Sequence, residues 1–163
     1  MIKLFVTGGT IDCEKIDANN QYSFGKTSVP RMLEQGKCTL KIEYDILMMK
    51  DSLFMTNDDR NIILKNCESC KVQQIIITHG TDTIVKTAKL LGKNIKNKTI
   101  VLLGAMVPHD QEKSDALFNL GCAITAVQSL PNGVYITMNG KIFTWDNVIK
   151  NKALGLFETL EKK

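Results

Sequence analysis

The chain alternates unbroken apolar runs with segments whose apolar residues recur at helical spacing. Residues 2–6 form the first run and predict a buried strand, with residues 7–11 as the turn that leaves it. Residues 41–49 predict a second strand, ending at Asp51-Ser52. Residues 72–78 predict a third, and its continuous Ile75-Ile76-Ile77 implies burial on both faces. Residues 99–103 and 134–138 read as a fourth and fifth. Between them lie helical patterns. A short helix is expected over residues 30–35. Another starts at Thr56, an N-cap with Asp59 three residues on, and would bury Ile62, Ile63 and Cys67. A third runs over residues 83–91, with Ile84, Ala88 and Leu91 on one face and Gly92 as its stop. A fourth covers residues 114–129, with Leu117, Leu120, Ile124 and Val127 facing the core. Asn139-Gly140 predicts a hairpin turn into residues 141–144. Residues 12–27 are polar and predict a mobile surface loop able to act as a lid. Strand–helix alternation of this kind predicts an α/β fold, a mostly parallel sheet covered on both faces. No linker, repeat or low-complexity segment divides the chain, so one domain over residues 1–163 is expected.

Composition adds exclusions. At 163 residues, 44% hydrophobic and 23% charged, the chain is of ordinary globular make-up. Its net charge of +4 is scattered. The densest cluster, Lys93, Lys96 and Lys98, has no interleaved aromatics and reads as a solvated loop, so no nucleic-acid partner is expected. Lys86 reads as solvated too. The five cysteines are odd in number, and free thiols in a reducing compartment are expected. Cys67-Glu68-Ser69-Cys70 reads as a helix end, not a metal or redox site. The sequence opens directly on a strand, and no apolar run reaches the ~18 residues that span a membrane. The expected location is the cytoplasm, with no membrane partner.

Two loops carry the chemistry. Thr7-Gly8-Gly9-Thr10-Ile11 and His79-Gly80-Thr81-Asp82-Thr83 each join glycine to hydroxyls at the end of an apolar run. In a parallel α/β sheet such loops meet at the carboxyl edge, where ligands bind. Hydroxyls converging there point to covalent chemistry, although any one threonine of the set could instead cap a helix or close a turn. Thr7 and Thr78 are read as structural. With only His79 and His109 present, no Ser-His-Asp arrangement is evident, and His79 reads as a turn residue rather than a base. No ligand cluster for a metal exists, and no cofactor is implied.

These segments resemble the N-terminal domain of bacterial-type L-asparaginases. The two threonine loops are similar to that family's signatures. Gly104-Ala105-Met106 with Ser114-Asp115 and Phe118-Asn119 is similar to a third family segment. Tyr22-Ser23-Phe24-Gly25-Lys26 resembles its lid tyrosine motif, Asp51-Ser52 with Met55 its substrate-serine segment, and Met138-Asn139 followed by Lys150 the stretch bearing its lysine. The resemblance runs in order from residue 2 to about residue 158. It implies a three-layer, doubly wound, flavodoxin-like domain that lacks the family's usual second domain. The charged, tail-like residues 156–163 favour a natural short-chain form over a fragment. The resemblance implies hydrolysis of L-asparagine to L-aspartate and ammonia. Thr10 would be the nucleophile with Tyr22 closing over it. Thr81, Asp82 and Lys150 would form a second constellation, and Ser52 and Asp82 would hold the α-carboxylate and α-ammonium. It also implies a homodimer or homotetramer.

The chemistry is coherent with those roles. A threonine hydroxyl needs a proton acceptor, and Lys150 can serve with Asp82 orienting it. Backbone N–H groups around Gly9, Thr10 and Thr81 can stabilise an oxyanion, and Gly9, Gly80 and Thr81 join Ser52 and Asp82 as expected substrate-binding residues. Two features depart from the family pattern. The second domain's acidic residue has no counterpart, which predicts weaker substrate binding. Leu53 and Phe54 stand where polar residues are usual, which predicts a more apolar pocket that disfavours glutamine. The competing readings are an amidase for another amide, including a tRNA-linked one, and an amino-acid sensor without turnover.

Overall fold

The computed structural model describes residues 1–16, 18, 19 and 21–160. Along the chain it contains β1 (Ile2–Gly8), β2 (Cys13–Ile16), β3 (Tyr22–Phe24), α1 (Val29–Gln35), β4 (Ile42–Lys50), α2 (Asn57–Ser69), β5 (Gln74–Thr78) and α3 (Ile84–Asn94). There follow β6 (Thr99–Leu103), α4 (Ala116–Ser129), β7 (Gly133–Met138), β8 (Lys141–Thr144), β9 (Ile149–Asn151) and β10 (Leu156–Glu158). A six-stranded sheet has the order β4-β1-β5-β6-β7-β8. Its first five strands are parallel. Strand β8 returns antiparallel to β7, through Asn139 and Gly140 with φ of 52° and 79°, the left-handed pair a tight hairpin requires.

Counted alone, the five parallel strands run 2-1-3-4-5, the flavodoxin-like order. The direction of winding reverses between β1 and β5, so the ligand crevice of this topology falls outside the carboxyl ends of those two strands. Both threonine loops leave from there.

Alternate residues of each strand serve two cores. Phe5, Ile75, Ile77, Ile100, Leu102 and Ile136 pack with Ile63 and Cys67 of α2 and with Ile84, Ala88 and Leu91 of α3. Leu4, Val6, Ile76, Val101 and Leu103 pack with Met32 of α1 and with Leu120, Ala123 and Val127 of α4. Two-sided burial explains why these strands read as unbroken apolar runs.

The structure corrects four expectations. Much of residues 12–27 is not a loop but the antiparallel ribbon β2–β3, stacked at Tyr22 and Phe24 with ring centroids 6.3 Å apart. Residues 17 and 20 lie outside the described residues. Gly92 does not stop the third helix but sits inside α3, where a Cβ would fall 2.3 Å from the Trp145 ring. The missing side chain is a packing requirement, and the helix runs on to Asn94. In α2, Ile62 is 45% exposed, and Arg60 takes its place on the buried face with Ile63 and Cys67. Lys98 is not solvated. Its Nζ donates to the carbonyls of Cys70 and Val72 at 2.5 and 3.5 Å, a cation at the electronegative end of α2. Lys96 lies over the Trp145 ring at 5.4 Å and is exposed as expected, as are Lys93 and Lys86.

The start of α2 matches the sequence reading. Thr56 and Asp59 form a reciprocal capping box, and Lys50 adds an ion pair to Asp59 at 2.7 Å. These partners hold the Asp59 carboxyl at about 2. None of the five cysteines is in a disulfide, and burial pushes the Cys67 thiol up to about 12, which makes it inert at neutral pH. Among the described residues no helix is long and apolar enough to cross a membrane.

Candidate active site

Glycine brings the two loops together. At Gly9, φ is +81°, and a Cβ there would lie 2.4 Å from the Gly80 nitrogen and 2.5 Å from its Cα. The first loop is thus pressed backbone-to-backbone onto the second. Gly9 N–H donates to the Lys50 carbonyl at 3.0 Å, fixing it to the end of β4 as well. Beyond this point Thr10, Ile11 and Asp12 form one 3₁₀ turn, all buried, with Thr10 still 9% exposed. The Thr10 hydroxyl faces the half-buried Tyr22 hydroxyl at 3.4 Å across the β2–β3 ribbon.

The second loop carries the tightest polar cluster. Lys150 Nζ lies 2.8 Å from Thr81 Oγ1 and 2.7 Å from Asp82 Oδ1, donating to both. The lysine side chain is 11% exposed and the aspartate 34%. Lys150 arrives on β9, opposite Phe157 of β10. Phe157 is buried and packs on Phe143 with centroids 6.4 Å apart, which seats the ribbon on the main core. Sequence position alone gives no hint of this ribbon.

Ser52 supports the loop from below. Its hydroxyl accepts from Thr83 N–H at 3.3 Å, and its carbonyl accepts from the Thr83 hydroxyl at 2.9 Å. A Cβ on Gly80 would meet Ser52 Cβ and Oγ at 2.6 Å, so this glycine too is set by close approach. Ser52 is 1% exposed, while the neighbouring Leu53 and Phe54 are 61% and 71% exposed. Arg60, not anticipated from sequence, donates to Thr83 Oγ1 at 2.9 Å and to the carbonyls of Met55 and Thr56 at 2.8 and 3.0 Å. Its place three residues before Ile63, on the buried side of α2, is the one signal the sequence offers.

Thr7 and Thr78 are fully buried and bind each other. Thr7 Oγ1 donates to the Thr78 carbonyl at 2.7 Å, and Thr7 N–H to Thr78 Oγ1 at 3.4 Å. They splice β1 to β5. His79 is also fully buried, with Nδ1 at 2.9 Å from the Gly80 carbonyl and Nε2 at 2.7 Å from Thr87 Oγ1. A carbonyl only accepts, so the proton is on Nδ1 and the Thr87 hydroxyl donates to Nε2. Burial pushes the imidazole down to about 4. It is a neutral strut of the second loop.

This state of His79 has a stability consequence. An unfolded histidine titrates near pH 6.5. Between there and about 4 the unfolded chain binds a proton that the folded one excludes. The stabilisation is complete above the unfolded value and is lost as pH falls through the window, by up to ~1.4 kcal/mol per pH unit. His79→Gln is expected to flatten that acid limb. Urea midpoints measured from neutral pH down to about pH 4.5 check it; an unchanged slope would contradict the assignment.

Among the described residues, no group of histidine, cysteine and acidic side chains is placed to hold a metal ion. A doubly wound sheet whose switch-point loops gather hydroxyls, a carboxylate and an amine defines an α/β ligand-site domain. The chain belongs to the asparaginase family: the profile for the asparaginase N-terminal domain matches residues 1–159. It is 33% identical over 165 residues to a protein named L-asparaginase from Thermococcus kodakarensis, covering 95% of this chain and 49% of that protein. It is 29% identical over 171 residues to a subunit of a glutamyl-tRNA(Gln) amidotransferase from Methanococcus vannielii, covering 95% and 37%. The solved structure of the thermostable L-asparaginase from Thermococcus kodakarensis superposes with a TM-score of 0.85 at 28% identity, covering 99% of this chain and 52% of that one. The chain spans about half the length of these asparaginase relatives.

Proposed function

We propose that the chain is an amidohydrolase that converts L-asparagine and water to L-aspartate and ammonia through a threonine acyl-enzyme. The Lys150–Thr81–Asp82 cluster, with both contacts under 3 Å, carries this reading. It supplies an amine, a hydroxyl and a carboxylate beside the loop that bears Thr10.

In this mechanism Thr10 Oγ attacks the side-chain amide carbon, and its proton passes by way of Tyr22 or water to the leaving nitrogen. Backbone N–H groups around Gly9, Thr10 and Thr81 bind the tetrahedral oxyanion. Collapse of that intermediate breaks the C–N bond, expels ammonia and leaves an ester on Thr10. For deacylation, Thr81 takes a proton from the attacking water and relays it to Lys150, with Asp82 holding the lysine in place. Water then cleaves the ester and restores Thr10. Asp82 pairs with the substrate α-ammonium. Ser52 already accepts the Thr83 N–H, so its own proton is available to the α-carboxylate. The closeness of Gly9 to Gly80 and of Gly80 to Ser52 sets how near these groups can stand.

One relative supports a second reading. The likeness to a glutamyl-tRNA(Gln) amidotransferase component would make the chain an amidase that releases ammonia for use on another amide or acyl group. Self-association as a homodimer or homotetramer belongs to the main proposal. Leu53, Phe54 and Leu154 are each more than half exposed and offer apolar surface for it. Five cysteines with no disulfide among them support a cytoplasmic location.

The test is ammonia release by the purified protein from L-asparagine, L-glutamine and D-asparagine, with aspartate quantified alongside. The expected result is equimolar ammonia and aspartate from L-asparagine, less release from glutamine, and loss of both products in Thr10→Ala. Preference for glutamine would favour the amidotransferase reading. Saturable binding in calorimetry without release would replace catalysis by sensing.

A further inference from the structure

Asp12 belongs to no motif, and the mechanism above does not use it. It is nonetheless one of the most buried charged side chains in the molecule, at 1% exposure, two residues beyond Thr10 in the same 3₁₀ turn. Its Oδ1 accepts from the Thr27 hydroxyl and from the Ser28 N–H, both at 2.8 Å. Its Oδ2 faces the Thr78 hydroxyl at 3.5 Å. The donors come from two other segments. Thr27 and Ser28 follow the strand that carries Tyr22, and Thr78 is the last residue of β5, from which the second loop departs. Thr78 is itself bonded to Thr7, so the carboxylate is tied to the β1–β5 splice.

We propose that Asp12 is a positioning residue: its carboxylate clamps the exit of the β2–β3 ribbon to the turn bearing Thr10, and so holds the Tyr22 hydroxyl against the Thr10 hydroxyl. The inference rests on the proposed roles of Thr10 and Tyr22.

The physical case is one of satisfaction. Among the described residues no cation pairs directly with Asp12. Burial raises its carboxyl above the usual carboxylate range, and the hydrogen bonds from Ser28, Thr27 and Thr78 act against that, with the charge of His109 the weakest influence. The buried anion is therefore stabilised by hydrogen bonds, and hydrogen bonds to an ionised acceptor are roughly twice as strong as neutral ones. If Thr27 and Ser28 left, the carboxylate would stay buried without them, which is the costly state. Opening of the ribbon exit is thus opposed by the whole solvation of the charge. Thr27 also accepts from Val29 N–H at 3.2 Å through its hydroxyl. The same clamp therefore sets where α1 begins, a helix whose N-cap Ser28 makes no side-chain cap of its own. A neutral side chain of the same size would fill the space but hold the exit less firmly.

Asp12→Asn and Thr27→Val test this with two readouts. The first is turnover of L-asparagine. Asp12→Asn is expected to lower kcat by roughly ten-fold with KM changed much less. Thr27→Val should move it the same way, and the double variant should be little worse than Asp12→Asn alone. The second readout needs no activity. Lys26 is exposed beside the clamp, and trypsin cleavage after it is expected to speed up about ten-fold or more in both variants under conditions where urea titration shows both still folded. An unchanged cleavage rate in both variants overturns the clamp, whatever the turnover shows. A faster cut at Lys26 with unchanged kcat overturns the catalytic part of the proposal. If the wild-type protein releases no ammonia, the functional reading fails and the trypsin arm still decides the clamp. Should Asp12→Asn fail to fold, Thr27→Val carries both readouts.

Discussion

Lys150→Met is expected to lower the rate of asparagine hydrolysis by about three orders of magnitude while leaving the fold intact. Methionine keeps most of the length and the apolar stem of the side chain, so the packing of β9 is preserved. What is lost is Nζ, which contacts Thr81 Oγ1 at 2.8 Å and Asp82 Oδ1 at 2.7 Å. Thr81 then has no amine to take its proton, and a threonine hydroxyl without a base is a poor nucleophile and a poor relay. Asp82 is one-third exposed, so water replaces its lost partner and the stability cost stays near ~1 kcal/mol. Thr81→Val should cost a similar factor. The double variant should be hardly worse than either single one, because the two groups act as a unit. Steady-state kcat and urea midpoints for all three proteins are the measurements. Retention of more than a tenth of the wild-type rate in Lys150→Met would remove the lysine from the chemistry.

Gly9→Ala is expected to destabilise the protein by ~3 kcal/mol or more and to abolish activity together with it. The backbone there has φ +81° and ψ −177°, a region essentially restricted to glycine. Strain is only part of the cost. The new methyl would stand 2.4 Å from Gly80 N, 2.5 Å from Gly80 Cα and 2.9 Å from the His79 carbonyl carbon. All three are backbone atoms, and none can rotate away. The loops must separate, and the site with them. Gly121 supplies the control. It lies in α4, where an added methyl would have nothing within 4 Å, and alanine there is expected to stabilise by ~0.5–1 kcal/mol. Urea titration of both variants decides it. Near-native stability in Gly9→Ala would mean the two loops are not in the contact described.

What is legible in the sequence follows the physics of burial. Ile75-Ile76-Ile77 and residues 99–103 can be read because a strand covered on both faces has no polar alternation to confuse it. The Thr56–Asp59 start of α2 can be read because a capping box is local. The β2–β3 ribbon is hidden because a two-stranded ribbon beside the sheet need not carry an apolar pattern; it looks like a polar loop. Gly92 misleads because the rule that glycine ends a helix knows nothing of Trp145. Lys98 misleads because charge predicts exposure unless helix carbonyls from elsewhere in the chain meet it. For the site, Thr10, Tyr22, Ser52, Thr81, Asp82 and Lys150 come from family likeness. The distances between them are tertiary facts: Lys150 and Thr81 are 69 residues apart in sequence. Asp12 and Arg60 escape notice because each acts through partners on other segments.

The seating of Lys150 separates inactivation from unfolding. The amine is delivered by a ribbon of two three-residue strands whose anchor is Phe157 against Phe143, while both threonine loops hang from the central parallel strands. Mild denaturant or gentle heat is expected to lift that ribbon before the sheet loses its helices and its circular dichroism. The protein is then expected to show two thresholds, a lower one for losing the proposed catalytic amine and a higher one for losing its shape, so that a sample can keep its circular dichroism after its activity has gone.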